Sequence, residues 1–218
     1  MKPMLMYVAA AGVLLLGAIP IYGRSDGLTN PHAILGVAVA KNREPCNKYE
    51  GTKTEPPSSR KLEPLDSIGG DIAHKISLPI VFRVGRFQLS RGDDETTPEG
   101  RRAIVIKFSP KQEKMLRLGP EKNEDPVYND GMNKLAGKVL IDPETGSIMR
   151  AEGSLTEGVP FKWKILPGGD VEKLDFEFVQ ERRREKWVPS TLVVTARATF
   201  FKIGIAHRQY NFVFQCSD

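Results

Sequence analysis

The sequence predicts a mainly β protein: a curved antiparallel up-and-down sheet that forms an open half-barrel, with one or two short helices. From residue 78 onward, short runs rich in β-branched and aromatic residues alternate with turn residues, too closely spaced for helices to intervene. Strands that follow one another through hairpins form an antiparallel meander. A long sheet with one apolar face must curl, pair with another layer or be covered. The eight predicted strands are residues 78–89, 102–108, 137–142, 147–155, 159–166, 171–181, 187–200 and 202–215.

Turn residues mark three of the predicted hairpins. Residues 142–146 are Asp-Pro-Glu-Thr-Gly, in which Pro suits an early turn position and Gly can adopt a positive φ. Pro167, Gly168 and Gly169 are expected to join the next pair of strands, and residues 182–186 a third pair.

Alternating side chains indicate which face of the sheet is dry. In the hairpin over residues 159–181, apolar residues alternate with charged ones such as Lys162, Asp175 and Glu177. After Ile205 the apolar residues move from odd to even positions, which predicts a β-bulge near residues 207–209. The apolar face of the hairpin is predicted to consist of Phe161, Trp163, Ile165, Leu174, Phe176 and Phe178.

The first 23 residues indicate export. One charged residue, Lys2, precedes an uncharged run over residues 4–22, and Gly23 and Arg24 follow; this is the layout of a secretory signal peptide. The run is also near the length of a membrane-spanning helix, so an uncleaved anchor is the alternative. We therefore expect an exported protein that is periplasmic after cleavage, or anchored to the inner membrane without it.

Residues 24–75 predict a short helix followed by a polar linker. Asn30 and Pro31 suit a helix start, and the apolar residues that follow predict a helix over residues 32–40. Residues 48–64 are rich in Lys, Glu, Pro, Ser and Thr, which is typical of a linker or mobile loop. The expected organisation is a signal or anchor at residues 1–23, helix and linker at 24–75, and the β domain at 76–218.

The chain has two cysteines, Cys46 and Cys216. In an oxidising compartment they are expected to pair and to clip the N-terminal segment to the last strand. Closing so long a loop stabilises a fold by roughly 3 to 5 kcal/mol in the chain-entropy model. The alternative is two separate buried thiols.

The sequence contains no recognisable motif for catalysis, a cofactor or a metal. His32, His74 and His207 are isolated and lack ligand spacing. Asp142 opens a Pro-Gly turn, where Asp is expected for structural reasons, and the acidic residues 93–95 lack the spacing of a calcium loop. We expect no enzyme activity and no cofactor. The net charge of +5 is only mildly basic, so no nucleic-acid partner is expected either.

Arg182, Arg183 and Arg184 form the densest charge cluster of the sequence. They are candidates for contact with anionic lipid headgroups or an acidic partner, with Lys162, Lys164 and Lys186 expected nearby. The alternative is a solvated hairpin turn, where charged runs are common.

Four segments carry a resemblance to a known family: residues 135–146 (LAGKVLIDPETG), 176–180 (FEFVQ), 186–189 (KWVP) and 210–212 (YNF). Together they resemble a strand, hairpin and closing strand of bacterial proteins of the outer-membrane lipoprotein-sorting superfamily, especially uncharacterised relatives of the carriers. The resemblance covers roughly residues 100–214. It implies a periplasmic, strongly curved open sheet whose concave apolar face holds acyl chains beneath short helices.

Two functions are therefore expected. The first is a periplasmic lipid- or lipoprotein-binding protein that shelters an acyl chain on the apolar face defined above, with a lipid or acylated protein as its partner. The second is a non-catalytic interaction or scaffold module of the cell envelope with a filled core and a protein or membrane-surface partner. An apolar cavity of several hundred cubic ångströms favours the first, and a packed interior favours the second.

Overall fold

The protein is a mainly antiparallel β fold, as predicted, in a computed structural model that describes residues 30–42, 49–54, 63–64, 77–112, 119–120, 125–163, 166–200 and 204–216. Its helices are α1 Pro31–Lys41, α2 Leu78–Val81 and α3 Pro126–Asn133. Its strands are β1 Tyr49–Thr54, β2 Glu63–Pro64, β3 Phe87–Arg91, β4 Glu95–Thr96, β5 Arg102–Pro110, β6 Leu135–Ile141, β7 Ile148–Leu155, β8 Val159–Trp163, β9 Leu166–Arg183, β10 Lys186–Phe200 and β11 Gly204–Phe214.

The sheet is open and follows the predicted meander over most of its width. Its strand order is β2-β1-β11-β10-β9-β7-β6-β5-β3, with β4 paired to β5 and β8 paired to β9. Within the described strands, β2 and β3 end this order and do not pair with each other. The consecutive neighbours β5, β6 and β7, and again β9, β10 and β11, are the expected up-and-down hairpins.

Strand β9 is long enough to take two partners on one side. Its residues 175–179 pair with 150–154 of β7, and its residues 166–171 pair with 159–163 of β8. Strands β7 and β8 therefore lie end to end along the same edge of β9, and residues 156–158, which are not in a strand, connect them. As a result, the hairpins at the β8 end extend beyond the part of the sheet that β5 and β6 complete.

The strand predicted over residues 78–89 is wrong in its first half. Leu78–Val81 forms the helical turn α2, with a proline in its first turn, and only Phe87–Arg91 is extended. Proline fits this position because its missing N–H has no helical partner there. Leu78, Val81 and Phe82 are buried, so the apolar run serves a helix that packs on the sheet.

The linker predicted over residues 48–64 contains a strand. Tyr49–Thr54 forms β1, which pairs along its whole length with β11. A polar sequence can form this strand because backbone hydrogen bonds to β11 hold it in the sheet. Of its side chains, Tyr49 alone packs against the core cluster. Residues 55–62 lie outside the described part of the chain.

Two of the three predicted turns need correction. The turn predicted at residues 167–169 is wrong, because Trp163 already pairs with Leu166 and residues 167–169 lie inside β9, where the register shifts by one residue. The turn predicted at 182–186 is shorter: only Arg184 and Glu185 connect β9 to β10, and Arg184 has a φ of 54°. The turn at residues 142–146 is confirmed, and Gly146 has a φ of 66°.

The β-bulge predicted near residues 207–209 is also wrong. The register of β11 runs without a shift against both β10 and β1. The change in apolar phase has a simpler cause: Ile205 faces away from the core and is 60 % exposed. Shifts occur instead between β9 and β10, near Pro189 and near Arg197.

The core lies between one face of the sheet, from β3 to β11, and the helices; β9 to β11 contribute their even-numbered side chains to it. The predicted helix start is confirmed, since the Asn30 side chain accepts a hydrogen bond of 3.0 Å from the backbone N–H of His32. Helix α1 buries Ile34, Leu35, Ala38 and Val39, and these residues share one cluster with α2 and with Phe176, Phe178, Leu192, Val194, Tyr210 and Phe212. A smaller cluster on the opposite face joins Ala103, Val105, Leu140 and Met149, with Trp187 packed against it.

Two expectations about the N-terminal region fall outside the described residues. Residues 1–29 and Cys46 are not described, so the signal or anchor and the disulfide stay predictions. The register bears on the disulfide, since Tyr49 pairs with Phe214, and Cys46 and Cys216 lie three and two residues from this pair. Among the described residues, no helix combines the length and apolarity needed to cross a bilayer.

Candidate functional site

The apolar face of the sheet continues beyond the core toward the ends of the β8–β9 and β10–β11 hairpins. We call this continuation the distal apolar surface. Its side chains share one face because Val171 pairs with both Val159 and Ala198, and Leu174 pairs with Ala196. The surface consists of Phe161, Val171, Leu174, Ala196, Ala198, Phe200 and Ala206.

The predicted ligand-binding residues divide between the core and this surface. Phe176 and Phe178 are 4 % and 8 % exposed and belong to the core cluster. Leu174 is half-buried at the border of that cluster, and Phe161 is half-buried beyond it. For Trp163 the backbone alone is described, and Ile165 lies outside the described residues.

Phe176 packs directly over a glycine, Gly153, on the neighbouring strand. A Cβ built on Gly153 would lie 2.7 Å from Cε1 of Phe176 and 2.9 Å from Cζ of Phe108. The missing side chain lets both rings lie on the backbone of the sheet. In this half of the face the aromatic residues pack against each other and the helices, so they fill the space that a ligand would need.

At the other end, Phe161 and Phe200 meet across β9. Both residues pair with Gly169, and their ring centroids lie 5.6 Å apart at an interplanar angle of 72°. Gly169 has a φ of 148°, and a Cβ there would collide with the carbonyl oxygen of Thr199. A side chain at position 169 would therefore clash with the backbone of β10. The edge-to-face contact of the two rings is of the favourable type.

Small residues form the floor between the ring pair and the core. Ala198 lies between Val171 and Ala206, and Ala196 lies beside Leu174. All five are half-buried. The result is a shallow apolar trough, bordered on one side by α3, because Val159 is buried and its Cγ2 lies 3.9 Å from a Cβ built on Gly131.

Sequence reasoning missed Val171, Phe200 and the alanines of this trough. Ala196 and Ala198 alternate with polar residues in the sequence, but the sequence does not show which strands lie beside them. Pairing of β10 with β9 and β11 brings them beside Phe161, and a pairing register is a tertiary property.

The arginine cluster lies at the opposite end of β9. Arg182 contacts Glu144 at 3.3 Å, and Arg183 contacts Glu181 at 2.6 Å. Lys186 pairs with Arg183 as expected, but Lys162 lies near the other end of β9. That strand has 18 residues, roughly 55 Å of extended chain, so the expected grouping of Lys162 with the arginines is wrong. Two of the three arginines are also already paired with carboxylates.

Asp142 is a structural carboxylate. It accepts hydrogen bonds from Nε1 of Trp187 at 2.8 Å, Oγ1 of Thr145 at 2.8 Å and the backbone N–H of Glu144 at 3.0 Å. Burial opposes its ionisation, but these donors and Arg182 outweigh burial and hold its pKa below the ordinary value. This arrangement fixes the β6–β7 turn and holds Trp187 over the smaller cluster.

Other charged residues on the outer face pair with each other. Asp94 contacts Arg91 and Arg102, each at 2.7 Å, which accounts for the acidic loop. An outer groove of about 300 Å³ has Glu152 and Glu177 on its walls, and Arg150 bridges these two at 3.2 and 2.9 Å. Within the described residues, no group of three His, Cys, Asp or Glu side chains is placed to hold a metal ion.

No protein family, characterised protein or solved structure matches this chain. The resemblance to lipoprotein-sorting proteins therefore rests on the sequence segments alone.

Proposed function

We propose that this chain is an exported, periplasmic, non-catalytic binding protein that shelters an acyl chain of a lipid or lipoprotein on its distal apolar surface. One observation carries the proposal: the apolar face of the sheet does not end at the core but continues into a trough whose wall, Phe200, is 36 % exposed. Large apolar side chains that border an apolar floor suit a ligand without hydrogen-bonding groups.

Desolvation is sufficient as the mechanism. Each acyl methylene that leaves water contributes about 0.8 kcal/mol, and the ring faces of Phe161 and Phe200 add apolar contact. The alanines at positions 196, 198 and 206 keep the floor low, so that a chain can lie against the backbone. Binding and release then need no covalent step.

A second function is favoured by the packing of Phe176 and Phe178. Because these residues are buried with α1 and α2 in one cluster, the central part of the face acts as a core. This suits the alternative of an envelope interaction or scaffold module, in which the distal apolar surface contacts a protein partner.

Lipid extraction of protein purified from the cell envelope, followed by native mass spectrometry, separates the two functions. The binding proposal expects a co-purifying lipid and uptake of a fluorescent fatty acid. The same spectra give the mass of the mature chain and so show whether residues 1–23 are removed.

Substitutions localise the binding. Ala198→Trp should fill the trough and abolish fatty-acid uptake, whereas Ile205→Trp, on the opposite face of the same hairpin, should leave it unchanged. Wild-type protein that carries no lipid and takes up no fatty acid would leave the scaffold function as the better proposal.

A further inference from the structure

The floor of the trough is lowest along strand β10. Between the buried Val194 and Phe200, the side chains on this face of β10 are Ala196 and Ala198. On β9 the residues beside the two alanines are larger, a leucine and a valine. A path across β9 would have to rise over these side chains, so an extended chain meets the least obstruction when it lies along β10. Both alanines are half-buried, which leaves this line open to solvent from above.

The core closes one end of the trough. Val194 is fully buried, and its neighbours in register are Phe176 on β9 and Tyr210 on β11, which are buried as well. These three side chains form a row across the sheet, and the open floor ends at this row. A chain that lies along β10 cannot pass it, because α1 and α2 pack on the same cluster.

Two aromatic rings close the other end of the trough. Phe161 and Phe200 both pair with Gly169, so strand β9 separates their backbones. Two strand spacings amount to about 10 Å, but the ring centroids lie only 5.6 Å apart. The two rings therefore lean toward each other over β9. Phe200 also lies on the same face of β10 as the two alanines, so its ring stands at the end of their line.

We infer that the ring pair of Phe161 and Phe200 is the end wall of the trough and limits the length of the acyl chain that the protein buries. This inference rests on the proposed acyl-chain binding, and it names the ligand class as unbranched chains of medium length. Phe200 lies six positions after Val194, which is about 20 Å of strand. Contact distances of about 4 Å at each end leave about 12 Å for the ligand. At about 1.3 Å per carbon of an extended chain, the trough holds about ten carbons.

The selection for chain length follows from which methylenes leave water. Each buried methylene raises the affinity about fourfold, whereas a methylene that the end wall keeps in water adds nothing. Affinity should therefore rise with chain length up to about ten carbons and then level off. Phe200 supplies the wall, and the edge-to-face contact with Phe161 holds its ring in place.

Competition against a fluorescent fatty acid measures the dependence on chain length. Protein purified from the cell envelope and freed of bound lipid is titrated with octanoate, decanoate, dodecanoate and palmitate. The ratio of the decanoate and palmitate dissociation constants should be close to one in the wild type. In Phe200→Ala this ratio should rise to about fifteenfold, the effect of two further buried methylenes. Phe161→Ala should shift the ratio in the same direction by a smaller factor. A ratio taken within one variant is independent of any general loss of affinity.

Ile205→Ala is the matched control, because Ile205 is exposed on the opposite face of the same hairpin; it should keep the wild-type ratio. Circular dichroism should show an unchanged fold in Phe200→Ala, since Phe200 lies outside the core cluster. A wild-type ratio in both phenylalanine variants would overturn the end wall while the acyl-chain site stands, and so would a wild-type affinity that climbs steadily to palmitate. Wild-type protein that binds none of the four acids would overturn acyl-chain binding itself, and the end wall with it.

Discussion

Alanine at position 153 probes how closely the aromatic core lies on the sheet. The new Cβ would meet Cε1 of Phe176 at 2.7 Å and Cζ of Phe108 at 2.9 Å. Both rings are buried, and Phe108 also contacts Phe82 and Phe87 at 5.2 and 4.8 Å between centroids, so neither ring can move without moving its neighbours. Overpacking of this kind costs about 1 to 3 kcal/mol, from which the strand preference for alanine over glycine recovers about 0.5 kcal/mol.

Urea denaturation followed by circular dichroism measures the effect. We expect Gly153→Ala to lower the free energy of unfolding by about 2 kcal/mol, or the melting temperature by about 4 to 8 °C. Gly204→Ala is the matched control, because a Cβ there meets nothing within 4 Å, and it should be neutral or slightly stabilising. Gly137→Ala should cost more than Gly153→Ala, since its Cβ would collide with the backbone carbonyl of Glu152. Equal stability of the Gly153→Ala and Gly204→Ala variants would refute the inferred packing.

Two further predictions concern the other end of the sheet. Asp142→Ala should cost about 2 kcal/mol at neutral pH, because the donors around a buried carboxylate lose their acceptor. The folded pKa of Asp142 lies below its ordinary value of 3.8, so its contribution to stability is present above pH 3.8 and is lost as the pH falls through the folded pKa. The stabilities of Asp142→Ala and wild type should therefore converge in acid. A constant difference between them from pH 7 down to acid would contradict this. For Cys46 and Cys216, a thiol assay after denaturation without reductant should find no reactive thiol, and two reactive thiols would exclude the bridge.

Strands with strict alternation could be predicted from the sequence, and strands that depend on a partner could not. The hairpin residues Phe176 and Phe178 mark their own dry face, and the Asp142 turn carries its own backbone signals. Strand β1 has no such signal, because its place in the sheet comes from hydrogen bonds to β11. Likewise, residues 167–169 look like a turn, but the pairing of Trp163 with Leu166 makes them part of a strand.

The sequence predicted that the site is an apolar face of the sheet, but not which part of that face is left uncovered. Alternation identified an apolar face that includes Phe161, Leu174 and Phe176, but it could not say which part the helices would cover. Covering by α1 and α2 turns Phe176 into core, and the length of β9 carries Phe161 beyond that cover.

The sequence by itself determined that the chain forms antiparallel hairpins with one dry face, because side-chain alternation and turn chemistry are local properties. Only the tertiary structure decided which residues of that face are core and which form the trough, and that the arginine cluster and the distal apolar surface lie toward opposite ends of β9. Those outcomes depend on strand register and on where distant helices pack. Both are set by contacts between residues far apart in the chain, which no local pattern records.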